Sequence, residues 1–445
     1  MQPRSLIFTT AFLLSTALLL PSQSSAGITF TKVADTTTLI PDGTGSFTSL
    51  LDPSIDDGRV VFVGSGASGQ TGIYEYYNGQ LSMRVNQSTP IPGGTGSFTK
   101  FDIPSLDGAD IAFQAEGPSK QGGVYMQYDG SLVKIADKNT QVPGTKSNFN
   151  FIMPEIAFEH GSTTLSDGAV TFRSQSGIYL ASESGIAAIA TRTPDIPTKI
   201  PDQPYNFNVF SFDGAATFSN GQVLLTGRYV DFGTDFFTDG VFLWDNATGL
   251  KKVIDQHSIL PGHTAPIGHF MSTLYLDGGI PYVNVVSSVG LSIAALSLGN
   301  ITWEGVFRVD AGGLTPVVTR EDLQPAFDNR GPIVFFDSAF QDGRLAFPDI
   351  EGGMRIFENG ELSTIVAAGG LIDGKIVDRA RGSSRRDFLS GNQVALTLEF
   401  TDGSSGLYIA TIPEPSTLVM AATALVGLGL ALRRRLRIGR GSAAL

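Results

Sequence analysis

The chain has 445 residues, with 53 glycines, 30 phenylalanines, 11 tyrosines and only 16% charged residues, a mix that suits many short strands joined by tight turns. That length allows one large β domain or two ordinary ones. Cysteine is absent, which excludes a disulfide framework, a thiolate metal site and a cysteine nucleophile, and the net charge of −12 speaks against nucleic-acid binding.

At the N-terminus Arg4 precedes the apolar run LIFTTAFLLSTALLL, Leu6 to Leu20, followed by Pro21 and small residues at Ser24 and Ala26. A positive start, an apolar core and a small-residue cleavage site predict a helical signal peptide over residues 1–26, cut after Ala26. Set Arg4, the tail arginines 433, 434, 435, 437 and 440, and Glu414 aside from the 30 bases and 42 acids. The body then keeps 24 bases and 41 acids, a net of −17. Such a body repels phosphates and anionic lipid surfaces, so no nucleic-acid partner is expected.

Residues 27–412 read as a repeat. DDGRVVFVGSGASGQTGIYEYYNGQLSMRV from Asp56 is echoed by LDGADIAFQAEGPSKQGGVYMQYDGSLVKI from Leu106 and by further copies to LSGNQVALTLEFTDGSSGLYIATI from Leu389. Each copy has an Asp-Gly or Asn-Gly type turn and an alternating apolar run. A loop, a glycine and an apolar–aromatic pair follow: Ile73–Tyr74, Val124–Tyr125, Ile178–Tyr179, Val241–Phe242, Val306–Phe307 or Leu407–Tyr408. Tight hairpins follow, clearest at Asn78–Gly79, Asp129–Gly130 and Asn359–Gly360, because these residues accept positive φ. A further strand fits before each turn, as in FTSLLDPSI, FTKFDIPSL and FNVFSFDGAATF. That makes four strands per unit, recurring roughly every 50 to 65 residues, the spacing of propeller blades.

Seven units are present. The seventh lacks a closing strand, while GITFTKVAD at Gly27–Asp35 is a closing strand with no unit before it. The fold expected is all-β, a seven-bladed β-propeller closed by the N-terminal strand. Tandem β-sandwiches and a ring of six or eight blades are the alternatives. With Trp244 and Trp303 alone, the WD repeat is excluded.

Four loops place proline six residues before phenylalanine: Pro41–Phe47, Pro92–Phe98, Pro143–Phe149 and Pro201–Phe207. Such loops either pack between blades or ring a ligand mouth, and packing is the better-founded reading. His257, His263 and His269 share one crossover, but their spacing matches no zinc signature. Asp56, Asp57, Asp107, Asp110 and Asp342 are assigned to turn chemistry. No nucleophile elbow, P-loop or cofactor motif is found, so no catalytic residue, metal ligand or cofactor is assigned.

The tail reads IPEPSTLVMAATALVGLGLALRRRLR from Ile412 to Arg437, with no charge between Thr417 and Leu432. Sixteen residues of helix rise about 24 Å, short for a bilayer core near 30 Å. A single-pass anchor with arginines on the cytoplasmic side is one reading, and a lipid-anchor signal fits poorly because of the terminal arginines. The order Pro413–Glu414–Pro415, apolar span, then Arg433–Arg434–Arg435 resembles a PEP-CTERM sorting domain over residues 413–440. The resemblance implies processing by an exosortase-type membrane protease in Gram-negative bacteria that export polysaccharide. It also implies a transient inner-membrane anchor through a short transmembrane helix, and a destination at the cell surface or matrix. The function expected is a non-catalytic binding or structural module associated with exopolysaccharide or surface proteins. The rival is a secreted propeller enzyme, a hydrolase or lyase acting on glycans.

Overall fold

The computed structural model describes residues 27–150, 163–191, 198, 217–231, 236–267, 269–288, 301–310, 313–323, 338–383 and 387–413. Within it, Ile28–Ile412 form one compact unit. The expected signal helix at 1–26 and the apolar tail lie outside the described residues. Among the described residues no helix is long and apolar enough to cross a membrane.

Strand β1 (Thr29–Asp35) comes first in the chain and belongs to the last sheet. Blade 1 is β2 (Phe47–Asp56), β3 (Arg59–Gly66), β4 (Thr71–Tyr77) and β5 (Gln80–Asn86). Blade 2 is β6 (Lys100–Phe101), β7 (Ser105–Asp107), β8 (Asp110–Gly117), β9 (Gln121–Tyr128) and β10 (Ser131–Asp137). Blade 3 is β11 (Thr163–Ser166), β12 (Ala169–Ser174), β13 (Gly177–Ser182) and β14 (Gly185–Thr191). Blade 4 is β15 (Thr217–Ser219), β16 (Gln222–Asp231), β17 (Phe236–Asp245) and β18 (Gly249–Asp255). Blade 5 is β19 (His269–Asp277), β20 (Ile280–Ser288), β21 (Ile301–Asp310) and β22 (Gly313–Thr319). Blade 6 is β23 (Ala339–Gln341), β24 (Arg344–Pro348), β25 (Met354–Glu358) and β26 (Glu361–Val366). Blade 7 is β27 (Leu371–Ile372), β28 (Lys375–Arg381), β29 (Leu389–Ser390), β30 (Gln393–Phe400) and β31 (Ser405–Thr411), with β1 on its outer edge.

The architecture is a seven-bladed propeller. The innermost strands β2, β7, β11, β15, β19, β23 and β29 touch in sequence, and β29 touches β2. First and last strands are antiparallel neighbours, with Thr29 opposite Thr411 and Asp35 opposite Gly406. Two blades depart from four uniform strands. In blade 2 the inner strand is broken into β6 and β7, with Pro104 between them; proline cannot donate to the ladder. In blade 7 the inner place on β30 is shared by β28 and β29, and β27 adds a short hairpin.

The core lies between blades rather than within any one of them. Val60, Phe62 and Tyr74 of blade 1 pack with Ala395, Leu407 and Ile409 of blade 7. Their sequence neighbours Val61 and Ile73 pack instead with Ile111 and Phe113 of blade 2. Alternate residues of a strand point to opposite faces, and here both faces are covered, so apolar side chains run consecutively at Val60–Val61–Phe62.

The Gly–apolar–aromatic signature has a geometric cause. Each outermost strand pairs with its neighbour through a register shift, at Ile73/Tyr74, Ile178/Tyr179, Val241/Phe242 and Val306/Phe307, for example. The bulge drives the neighbouring backbone inward. A Cβ on Gly123 would come 2.7 Å from the Ala136 carbonyl oxygen, and one on Gly305 2.6 Å from that of Val318. Only glycine fits there.

Candidate functional site

Two loop systems connect the blades, and each is bonded in a repeated way. The first is the crossover from an outermost strand to the next inner strand. Asp35 at the end of β1 accepts from the Thr37 amide at 2.9 Å and from the hydroxyls of Thr37 and Thr38 at 2.6 and 3.0 Å, with Lys32 Nζ at 3.1 Å. Asp137 repeats this with the Asn139 amide, Thr140 and Lys134, and Asp255 with the His257 amide, Ser258 and Lys252. Asn86 supplies a neutral version with Ser88 and Thr89. Burial opposes ionisation of Asp35, Asp137 and Asp255, but the donated hydrogen bonds and the lysines outweigh it, so each carboxyl lies below its ordinary range. Sequence reasoning passed over this motif, although its Lys-x-x-Asp-x-x-Thr/Ser spacing is visible at 32–38, 134–140 and 252–258.

The proline–phenylalanine loops follow directly, and the phenylalanines pack. Phe47, Phe98 and Phe149 are buried edge-on against Tyr74, Tyr125 and Tyr179, with ring centroids 4.9, 4.9 and 4.8 Å apart. Burial, and then the charge of Asp137, pushes the Tyr125 phenol up to about 12. Gln70 and Gln121 clamp the first two loops, each side-chain oxygen accepting from the Thr44 or Thr95 amide at 3.2 Å. These three phenylalanines are therefore plugs between strands, not lining for a ligand mouth. The fourth pair, Pro201–Phe207, lies outside the described residues.

The second system is the ring of turns that follow the innermost strands. The last inner-strand residue of one blade accepts a hydrogen bond from the first turn amide of the next. Gly108 N donates to Asp56 at 2.7 Å, Asp167 N to Asp107 at 2.7 Å and Asp342 N to Asp277 at 2.7 Å. Gly391 N donates to Gln341 at 3.1 Å and Asp57 N to Ser390 at 3.1 Å, carrying the series from blade 7 back to blade 1. Between blades 3 and 4 the acceptor is Asp167, one residue later, at 3.3 Å from Asn220 N. Turn chemistry accounts for Asp57 and Asp342, which have φ of 43° and 51°. Asp56, Asp107 and Asp277 instead join blades. Burial raises the Asp107 carboxyl above its ordinary value; the Asp167 amide partly offsets this, while the charges of Asp56, Asp167 and Asp110 add to the rise. Asp277 is raised for the same reasons, burial first, then the charge of Asp342.

The histidines do not form a centre among the described residues. His257 and His263 are exposed, and the side chain of His269 is outside the description. No group of three histidine or acidic side chains is placed to hold a metal ion among the described residues. At the C-terminal end, β31 stops at Thr411, the Ile412 amide donates to Asn392 O at 2.8 Å, and Pro413 is the last described residue. Glu414, Pro415, Arg433, Arg434 and Arg435 lie beyond it.

The sequence pattern of a family of unknown function, DUF7453, matches residues 22–263, more than half of the chain. The chain belongs to this family. A PEP-CTERM protein-sorting motif matches residues 411–435 of this DUF7453 protein, beginning on the last residue of β31. The motif marks an exported protein of the Gram-negative cell envelope or surface, processed by an exosortase, a membrane protein. No curated protein matches the chain. Among solved structures, the β-propeller domain of the trilobed protease from Pyrococcus furiosus is similar at 12% identity, over 83% of this chain and 99% of that one, with a TM-score of 0.49. An acylaminoacyl peptidase from Pyrococcus horikoshii is similar at 12% identity over 84% of this chain, with a TM-score of 0.42. The matched part is 53% of the peptidase, so the chain spans about half its length.

Proposed function

We propose that this DUF7453 protein is a non-catalytic binding or structural module of the cell surface or extracellular matrix, delivered there by its two terminal segments. Residues 1–26 act as the signal peptide, 27–412 form the propeller, and 413–440 are the sorting tail with a short membrane-spanning helix. Pro413 and Pro415 keep the stretch around Glu414 extended for the exosortase. Arg433, Arg434 and Arg435 hold the far end of the apolar span at the cytoplasmic side. The observation that carries this reading is the sorting motif starting where the last propeller strand ends.

The glycan-enzyme reading draws no specific support. Asp56, Asp107 and Asp277 are engaged by amides of the neighbouring blade, and His257 and His263 are exposed. The deciding experiment is fractionation of cells making the full chain or a chain lacking the last thirty or so residues, with mass measurement of the released form. A surface or matrix form that has lost the tail, and retention of the truncated chain elsewhere, is the expected result. Identical distribution of the two chains refutes the sorting role. A matrix assembled normally without the protein refutes the surface role.

A further inference from the structure

The space between blades 4 and 5 is open where its counterpart between blades 1 and 2 is filled. In the latter, Arg84 on β5 reaches across, its Nε donating to Gln127 Oε1 at 2.7 Å and its guanidinium to the Ala109 carbonyl at 2.9 Å. Counting from the shared bulge and turn places Val253, Val309 and Gly279 at the positions of Arg84, Gln127 and Ala109. Val253 and Val309 carry no polar side chain to make the bridge, so the Gly279 carbonyl has no counterpart of Arg84 to reach it. What remains is a groove of about 840 Å³ that all three line.

Its lining has three chemical parts. The floor is aliphatic, made by Leu243, Val253, Ile280, Pro281, Val309 and Leu314, with no aromatic ring among the lining residues. The rim carries Lys251, Lys252 and Arg308 against one carboxylate, Asp310, whereas the whole chain has 30 bases to 42 acids. Lys252 is held by Asp255 at 2.8 Å and Arg308 by Asp310 at 2.9 Å, while Lys251 is exposed. Gln222 also lines the groove.

We propose that this groove docks an extended, acidic peptide segment of a partner protein. Its aliphatic side chains rest on the floor and its carboxylates face Lys251 and Arg308. A sugar chain would leave the aliphatic floor without a matching face, and it has no aromatic platform here. The inference rests on the reading of the body as a binding module and names what that body takes.

The test is fluorescence anisotropy of the full exported protein with a short fluorescein-labelled peptide alternating valine and glutamate. Saturable binding is expected, with a valine–serine peptide binding about tenfold more weakly or worse. Lys251→Glu, on an exposed side chain, should weaken binding by about tenfold at an unchanged melting midpoint. Val253→Arg should abolish it by restoring the side chain that fills the space between blades 1 and 2. Absence of saturable binding, or wild-type affinity in the Lys251→Glu protein, overturns the proposal. So does an oligogalacturonate that binds where the peptide does not. None of these results touches the fractionation outcome, so failure of the groove and failure of the surface role are told apart.

Discussion

The two loop systems use the same side chain, aspartate, under opposite electrostatic conditions. On the crossovers, Asp35, Asp137 and Asp255 each receive a backbone amide, a hydroxyl and a lysine. On the turn ring, Asp107 receives the Asp167 amide while Asp56, Asp110 and Asp167 stand close enough to repel it. Burial disfavours the charge in both places, and the count of donors decides the direction of the shift. The crossovers are thus charge-satisfied joints that favour the folded state at neutral pH. At Asp107 and Asp277 the ring joins blades at an electrostatic cost.

The largest effect expected comes from breaking a crossover's packing rather than its charge. Phe98→Ala removes a buried ring that meets Tyr125 edge-on and lies between blades 1 and 2, and should cost about 3–5 kcal/mol in denaturant unfolding. A loss below about 1 kcal/mol would mean that the loop is not a structural joint. Next is Asp137→Ala, which strips Lys134, Asn139 and Thr140 of their shared acceptor and should cost about 1.5–3 kcal/mol at neutral pH. The equivalent Asn86→Ala, which removes no charge, should cost less. Equal losses would show that the lysine contributes nothing.

Legibility in the sequence follows the same division. The blades could be read because their markers are local: turn pairs of positive φ such as Asn78–Gly79, and a glycine forced by the bulge beside Tyr74. The crossover joint was equally local but went unread, since its lysine and hydroxyl look like ordinary surface residues until the Asp35 hydrogen bonds are seen. The turn ring could not be read at all. Its acceptors are Asp, Gln or Ser, and donor and acceptor lie 50 to 65 residues apart in cases such as Gln341 with Gly391 and Asp277 with Asp342. The groove between blades 4 and 5 is harder still, because it arises from what replaces Arg84 and Gln127 in another repeat. Sorting residues Glu414 and Arg433 to Arg435 are legible as a motif alone.

Opposite shifts predict a two-limbed dependence of stability on pH. A carboxyl raised in the folded state weakens folding once ionised, so acidifying from neutral should first raise the melting midpoint as Asp107 and Asp277 take up protons. Carboxyls held low in the folded state do the reverse. Their contribution is lost as pH falls below the ordinary aspartate value of about 3.9 and on through the lower values of Asp35, Asp137 and Asp255. A maximum on the acid side of neutral is expected in a thermal scan across pH. A midpoint falling steadily from pH 7 downward would show that the ring carries no net repulsion.

The smallest effect sharpens the contrast most. Asp107→Asn keeps an oxygen to accept from the Asp167 amide and removes the charge that Asp56, Asp110 and Asp167 oppose. At neutral pH the protein should be as stable as the wild type or more so, by up to about 1 kcal/mol. The rise on mild acidification should shrink, while the loss below pH about 3.9 should stay, because the crossover carboxyls are untouched. Asp137→Asn should act in the opposite sense, lowering stability at neutral pH and flattening the acid limb. If both substitutions destabilise alike at neutral pH, the two aspartate sets are electrostatically equivalent and donor count does not govern them.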